Sequence, residues 1–393
     1  MSSPTSAKTF TYRVGLIGDH PWARALVEAL QQQGCRLIAC AGPEPLLAWA
    51  MRWSPTVSVS RDAAQGLSHP EVDVLVLADT WPFRGELLAQ AIQLDRSVFV
   101  IHPADQALER YYVVQLALEE RRFPVWPIIP HRFFDGLARI RTWLQGIGQS
   151  PSWHLEVNIP INELKSLEIA PARKRPTLET DRCHPLWFWA DWLRCLGGEI
   201  AEIYAVGEAT SLSVLHAPLT VTGRWESGGH FIWRQAPGLT EGFRLQTAQG
   251  IITWLGATVE PGRHVCQYER EGQRQIVESS GESVWKNYAA WLLDANNCTY
   301  TPAQWVDAVA AAEIVQAIEE SLRSRKAVSL LRQEYTESAV FKSQAASLGC
   351  GIIWLILVLA MISPLVPQAL YLIPILLLGC LVLFAVGWLA LRR

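Results

Sequence analysis

The chain has 393 residues and a net charge of −3 at pH 7, so it offers no excess of basic residues for nucleic-acid binding. Its length allows two globular domains of ordinary size and a further segment. The eight cysteines form no Cys-x-x-Cys pair, which argues against a zinc site and against a disulfide framework. Residues 1–11 predict a polar tail, because they lack the apolar core of a secretory signal.

Short apolar runs alternate with helical patterns over residues 12–130. The runs are apolar throughout, which is typical of strands buried on both faces of a parallel sheet. This alternation predicts a doubly wound, Rossmann-type α/β domain over residues 12–130. The predicted strands are 12–17, 36–41, 72–77, 98–101 and 123–129, and the predicted helices are 22–32, 83–94 and 105–121.

From about residue 153 onward, apolar and polar residues alternate, which predicts an antiparallel sheet with one packed face and one free face. The predicted strands are 154–161, 200–208, 212–225, 230–235, 242–255 and 264–269, and the predicted helices are 185–196, 284–293 and 303–324. We therefore expect an α+β domain over 131–327, with an open and mainly antiparallel sheet. A flat, free sheet face favours a homodimer.

A juxtamembrane linker over 328–346 leads to an almost wholly apolar stretch at 347–391. Pro367-Gln368 divides this stretch into two halves, and each half reaches the roughly 20 residues that cross a bilayer. Lys342 precedes the stretch and Arg392-Arg393 end it, which favours both flanks on the cytoplasmic side. We expect two transmembrane helices that hold the soluble body at the cytoplasmic side of a lipid bilayer. A re-entrant hairpin and a buried core hairpin are the alternatives.

Five segments carry a resemblance to a known family. They are Val-Gly-Leu-Ile-Gly at 14–18, Asp-Val-Leu-Val-Leu-Ala at 73–78, Arg-Ser-Val-Phe-Val-Ile-His-Pro at 96–103, His-Arg-Phe at 131–133 and Asp-Trp-Leu-Arg-Cys-Leu-Gly-Gly at 191–198. Their order over about residues 12–327 resembles the glucose–fructose oxidoreductase / inositol dehydrogenase (Gfo/Idh/MocA) family. The resemblance implies an oxidoreductase that transfers hydride between NAD(P) and a small or amphiphilic substrate. The membrane hairpin lies outside the family's usual plan.

The resemblance implies a cofactor site formed by Gly15, Gly18, His20, Ala23, Gly42, Ala78, Thr80, Arg84 and Pro103. His20 replaces the second glycine of the family's phosphate turn, so its imidazole either crowds the pyrophosphate or donates a hydrogen bond to it. Gly42 replaces the acid that binds the adenosine ribose, with Glu44 two residues beyond and no arginine nearer than Arg52. The missing acid favours NADP over NAD, and a simple loop glycine is an equal alternative.

Catalytic candidates follow from the same resemblance. His102 stands where the family has its catalytic lysine, and His184 stands where it has the aspartate of an Asp-x-x-x-His pair. Phe188 replaces the histidine of that pair. Histidine exchanges protons near neutral pH, so His102 and His184 are the candidate acid or base groups. Each also has a structural interpretation, as a turn residue before Pro103 and as a helix start before Pro185.

Two functions lead on this evidence, ahead of a third, a purely structural anchor with no ligand. The first is a membrane-anchored oxidoreductase acting on a carbonyl, imine or conjugated acceptor, similar to reductases of this fold that act on tetrapyrroles, such as biliverdin reductase. The second is a catalytically inactive relative that senses a nucleotide or metabolite, or serves as a membrane assembly partner. Arg84 and Trp81 would border the cleft and hold an anionic, flat ligand. No metal is implied.

Overall fold

The computed structural model describes residues 12–78, 83–94, 96–105, 107–120, 124–147, 153–160, 184–207, 218–255, 264–270, 273–279, 281–293 and 302–330. All of these residues belong to one compact unit that ends at Leu330. Two sheets, one parallel and one mixed, form the frame of this unit.

The first sheet has six strands that are all parallel within the described residues. They are β1 (Arg13–Ile17), β2 (Arg36–Ala41), β3 (Ser58–Ser60), β4 (Val74–Leu77), β5 (Ser97–Ile101) and β6 (Val125–Ile128). Their order is β3-β2-β1-β4-β5-β6, so the winding direction reverses between β1 and β4. Sheets of this kind bind ligands at that reversal, beyond the carboxyl ends of the strands. The predicted Rossmann-like sheet is confirmed.

The helices of this half include elements that the sequence patterns did not predict. The helices are α1 (Pro21–Gln32), α2 (Glu44–Trp53), α3 (Ala63–Leu67), α4 (Phe83–Gln93) and α5 (Leu108–Glu120). A 3₁₀ turn at Pro130–Phe133 and helix α6 (Asp135–Ile147) follow, and α6 packs on the second half of the unit. Our prediction lacked α2, β3, α3 and α6. Strand β3 has three exposed or half-exposed residues, so it carries no apolar run to detect.

The second sheet has nine strands within the described residues, in the order β14-β13-β12-β11-β7-β10-β9-β8-β15. They are β7 (His154–Pro160), β8 (Ile200–Gly207), β9 (Leu219–Trp225), β10 (His230–Ala236), β11 (Gly242–Thr247), β12 (Gly250–Leu255), β13 (His264–Arg270), β14 (Gln273–Ser279) and β15 (Val328–Ser329). Every pair is antiparallel except β7 with β10. The single strand predicted over 242–255 is wrong, because a turn at 248–249 makes it the hairpin β11–β12.

The alternating pattern buries one face of this sheet. On strand β10, Phe231 and Trp233 are buried, whereas His230 and Arg234 are exposed. Three further helices complete the unit: α7 (His184–Gly197), α8 (Gly281–Leu293) and α9 (Trp305–Ser324). Helix α9 packs against α5 of the first half and against α7 and β8 of the second, so it joins the two halves. The homodimer through the free face stays a prediction.

No helix within the described ranges combines the length and the apolar character needed to cross a bilayer. The predicted hairpin at 347–391 lies outside those ranges, as do residues 1–11 and 331–346. The two spans therefore stay a prediction.

Candidate functional site

The carboxyl edge of the first sheet brings together four of the nine predicted cofactor residues and the catalytic candidate His102. These are Gly18 after β1, Gly42 after β2, Ala78 after β4, and His102 and Pro103 after β5. Backbone hydrogen bonds fix two of them, since the Gly18 amide donates to Ala41 (2.8 Å) and the Ala78 amide donates to Ile17 (2.7 Å). Because the strands are parallel, all five residues lie along one edge, at the reversal of the sheet.

Two predicted cofactor residues lie inside elements and away from this edge, and a third is outside the described residues. Gly15 lies inside β1, where an added Cβ would be 3.1 Å from the Val72 side chain. Ala23 is fully buried within α1. Thr80 lies outside the described residues, as does Trp81.

In the predicted phosphate turn, the side chain of His20 caps the amino end of helix α1. Gly18 has a φ of +86°, which favours glycine, and His20 is the N-cap of α1. The Nδ1 atom of His20 accepts a hydrogen bond from the Trp22 amide (3.2 Å). Burial, with a smaller effect from the charge of Arg84, lowers the pKa of His20 to about 3. The ring is therefore neutral and carries its proton on Nε2, where it can donate.

Asp19, the residue before His20, has a carboxylate that is paired with an arginine. Arg24 donates two hydrogen bonds to Asp19, at 2.7 and 2.6 Å. The Arg24 guanidinium also lies 5.7 Å from the ring centre of Trp49. The pair neutralises a charge that would otherwise repel a pyrophosphate. The sequence analysis gave the pair no role, because Asp19 stands at an unspecified position of the family's phosphate turn and Arg24 lies beyond the turn.

Gly42 occupies a backbone conformation that favours glycine and would strain any residue with a side chain. Its φ is +153°, and an added Cβ would lie 2.9 Å from Leu46 Cδ2 and 3.6 Å from the backbone nitrogen of Gly18. The position predicted to meet the ribose therefore lies directly beside the predicted phosphate turn. An acid at position 42 would strain both the backbone and the packing, so the acid of the family pattern has no place here.

The arginine that the strand register places beside Gly42 is Arg61, not the predicted Arg52. Arg61, which follows β3, contacts the Glu44 carboxylate at 2.5 Å, and both side chains are mostly exposed. Arg52 lies instead in the last turn of α2, where its Nε donates to the carbonyl of Ala48. The sequence analysis overlooked Arg61 because it did not predict β3. The alternation of valine and serine over residues 57–60 was the available signal.

Arg84 forms part of the wall between the phosphate turn and the end of β5. It is 2% exposed, and its Nη1 donates to the carbonyls of Ile101 (3.2 Å) and Pro103 (2.6 Å). Its charge also contributes to the lowered pKa values of His20 and His102. The guanidinium therefore lies near both imidazoles.

His102 is enclosed by aromatic rings. Its side chain is 4% exposed and meets Trp187 (5.3 Å between ring centres) and Tyr111 (6.2 Å) edge to face. Neither ring nitrogen has a hydrogen-bond partner among the described residues. Burial lowers the pKa of His102 to about 3, an effect that Asp191 opposes and Arg84 reinforces. The imidazole is therefore neutral at pH 7.

A buried imidazole–carboxylate pair lies behind Phe188. Helix α7 begins at His184, whose side chain lies outside the described part of the chain. The ring of Phe188 lies 4.3 Å from that of His131, and His131 Nε2 lies 2.6 Å from Asp191 Oδ2. Both members of the pair are fully buried. The sequence analysis quoted His131 and Asp191 only as parts of family segments and gave them no role.

Arg132 completes this cluster. It donates to both carboxylate oxygens of Asp191, at 2.9 and 2.5 Å. Burial alone would raise the pKa of Asp191, but Arg132 and His131 hold it well below its usual range. Cys195 joins His131 and Asp191 in a group with metal-ligand spacing. We assign no metal to this group, because Arg132 occupies the carboxylate and burial raises the pKa of the Cys195 thiol to about 12.

The sequence matches no protein-family model and no curated protein. Solved structures do match. An oxidoreductase from Agrobacterium radiobacter, in complex with NAD+, L-tartaric acid and magnesium, is 15% identical over 81% of this chain and 98% of its own, with a TM-score of 0.64. An oxidoreductase from Thermotoga maritima is 14% identical with the same coverage and a TM-score of 0.65. Scyllo-inositol dehydrogenase from Lactobacillus casei, with NAD(H) and scyllo-inositol, is 16% identical over 81% of this chain and 99% of its own, with a TM-score of 0.61.

These structures are oxidoreductases of the Gfo/Idh/MocA type. At such low identity the similarity shows the fold, so the predicted resemblance is confirmed at the level of the fold. Two of the three hold NAD(H), and the choice between NAD and NADP in this chain stays a prediction.

Proposed function

We propose that this chain is an NAD(P)-dependent oxidoreductase of the Gfo/Idh/MocA type that transfers hydride to or from a small or amphiphilic substrate. The observation that carries the proposal is the carboxyl edge of the parallel sheet, where Gly42 and Gly18 follow β2 and β1 on one side of the reversal and His102 follows β5 on the other. Ligands of open α/β sheets bind at such an edge.

The residues present fit a dinucleotide at its adenosine half. Gly18 and Gly42 keep side chains out of the space between the phosphate turn and the ribose end. His20 can donate from Nε2 to a phosphate oxygen while its Nδ1 caps α1. When bound, the nicotinamide would supply or accept the hydride. His102 would exchange the substrate proton at a ring nitrogen, and burial works against this role, because a pKa lowered to about 3 makes the ring a weak base at pH 7.

A second function, nucleotide sensing without catalysis, is favoured by the packing around His102. Trp187 and Tyr111 enclose its ring, and a phenyl ring at Phe188 replaces a proton-carrying side chain. Hydride transfer with this arrangement requires His102 to gain access to substrate. Sensing requires only that the adenosine half be bound.

One experiment separates the two functions. The full-length chain, purified in mild detergent, is titrated with NADH and NADPH by energy transfer from its tryptophans, and turnover is then followed over sugars, aldehydes and bilins. Turnover that is lost in His102→Gln supports the oxidoreductase. Binding without turnover over the whole panel supports the sensor, and a chain that binds neither nucleotide contradicts both functions.

We also propose that residues 347–391 attach the protein to a membrane, with the described unit on the cytoplasmic side. The support is the length of the apolar stretch and the basic residues that flank it. Attachment would place the site near substrates that partition into the bilayer.

A further inference from the structure

Two oppositely charged side chains flank the ribose end of the proposed cofactor site. The register of β2 and β3 pairs Ala41 with Ser60, so the residues that follow them, Gly42 and Arg61, are neighbours. A hydrogen bond from the Gly42 amide to the Ser60 carbonyl (3.0 Å) fixes this arrangement. Glu44 begins α2, two residues after Gly42.

Glu44 and Arg61 are held mainly by each other. Arg61 Nη2 lies 2.5 Å from Glu44 Oε2, and the two side chains are 79% and 64% exposed, respectively. An exposed ion pair of this kind contributes little to stability and opens readily. Both charged groups are therefore available to a ligand that reaches the end of β2.

The two groups suit different forms of the same cofactor. A carboxylate accepts hydrogen bonds from the two ribose hydroxyls of NAD(H), and position 42 cannot supply that carboxylate. A guanidinium binds a phosphate through parallel N–H donors, which suits the 2′-phosphate of NADP(H). The amino end of the ten-residue helix α2 adds partial positive charge for a phosphate, whereas Glu44 in its first turn opposes one.

We propose that the Glu44–Arg61 pair lets this site bind both NAD(H) and NADP(H). Glu44 accepts from the ribose hydroxyls of NAD(H) while still paired with Arg61. Arg61 leaves Glu44 to bind the 2′-phosphate of NADP(H). The inference rests on the proposed nucleotide binding and identifies the two residues that set its selectivity.

The test compares dissociation constants for NADH and NADPH on the full-length chain by calorimetry. The parent protein should bind the two nucleotides within about tenfold of each other. Arg61→Gln should weaken NADPH binding by about tenfold, the effect of losing a charged hydrogen bond, and leave NADH within about twofold. Glu44→Gln should weaken NADH binding and tighten NADPH binding.

The matched control is Arg52→Gln, which removes an exposed arginine from the far end of the same helix and should change neither constant. A second measurement needs no variant, since adenosine 5′-diphosphate and adenosine 2′,5′-bisphosphate should both displace bound NADH. A parent preference above about a hundredfold, or a selectivity that neither variant changes, overturns the inference and leaves nucleotide binding intact. A parent that binds neither nucleotide overturns the proposed function as well.

Discussion

His20 makes a contact with the helix amides that a phosphate makes in dinucleotide-binding turns. In the usual turn, small residues leave the first amides of the helix open to the pyrophosphate. Here Pro21 has no amide proton, and the Trp22 amide donates to the His20 ring. A bound pyrophosphate must therefore either displace the ring or accept a hydrogen bond from its free nitrogen.

The variant His20→Gly distinguishes these arrangements. If the ring competes with the phosphate, the variant should bind NADH about three- to tenfold more tightly, because glycine restores the open turn and costs the helix cap only a few tenths of a kcal/mol. The measurement is the dissociation constant from tryptophan energy transfer. His69→Gly is the control, since His69 caps the Glu71 amide in the same way in an exposed loop. Weaker binding by His20→Gly would show instead that the imidazole donates to the phosphate.

Burial of His102 makes stability depend on pH. Its folded pKa of about 3 lies below the ordinary value of 6.5. Between these two pH values, the unfolded chain binds a proton at His102 and the folded chain does not. The free energy of unfolding should fall as the pH drops from about 6.5, by about 1.4 kcal/mol per pH unit for this group. Urea denaturation near pH 7 and near pH 5.5 should show a smaller loss for His102→Gln than for the parent. An equal loss in both proteins would contradict burial of a neutral imidazole.

The sequence patterns could not identify residues whose role depends on a partner far away along the chain. The resemblance located His102 and His20 because each follows a predictable strand end. It gave no role to Asp191 or His131, which lie 60 residues apart in sequence and meet only because α7 packs near the 3₁₀ turn. Their pairing depends on tertiary packing, which spacing along the chain does not encode.

At the scale of elements, an ion network connects the 3₁₀ turn, α7 and α9. Arg132 contacts Asp191 on α7 and, through Nη1, Asp307 on α9 (3.0 Å). Arg194 also contacts Asp307 (3.0 Å), and Asp307 belongs to the capping box that begins α9. Because α9 joins the two halves of the unit, this network fixes the halves at their shared helix.

Asp191→Asn should therefore lower the free energy of unfolding by about 3 kcal/mol or more, the usual cost of leaving a buried charge with too few partners. Asp73→Asn is the matched control, because Asp73 also binds an arginine through two oxygens but lies on the surface with Arg13. The control should change stability little, since exposed ion pairs contribute little. Urea denaturation of both variants checks the contrast. Similar losses in the two would contradict the importance of the buried network.

Element prediction succeeded where burial leaves a strong pattern. Strand β4 is four consecutive buried apolar residues, and α1 begins after a capping residue with proline in its first turn. Strand β14 was missed because its described residues are exposed and mostly polar. We predicted one strand in place of the hairpin β11–β12, because apolar and polar residues keep alternating through its two-residue turn. Edges and turns are set by pairing partners, which a single sequence does not show.

For the whole molecule, the fold is similar to that of the solved oxidoreductases, whereas the side chains at the candidate site differ from the family's pattern. The sheet reversal, the Gly18 turn and the joining helix α9 follow from buried apolar residues. The lysine and histidine of the family pattern are replaced by His102 and Phe188. Fold similarity at 14–16% identity therefore shows the fold alone, and experiments on these residues decide whether the chain binds a nucleotide and which reaction it carries out.

Membrane attachment through residues 347–391 can be tested by truncation, because the described unit ends at Leu330. The full-length chain should float with lipid vesicles in a density gradient, and a chain ending at Leu330 should stay in the aqueous fraction, because only the longer chain has the apolar stretch at 347–391. The truncated chain should bind NADH with the same dissociation constant as the full-length chain, since the residues of the proposed site all precede residue 331. Flotation of the truncated chain would show that residues before 331 attach the protein to the membrane. A full-length chain that stays in the aqueous fraction would show that 347–391 packs as a buried hairpin instead.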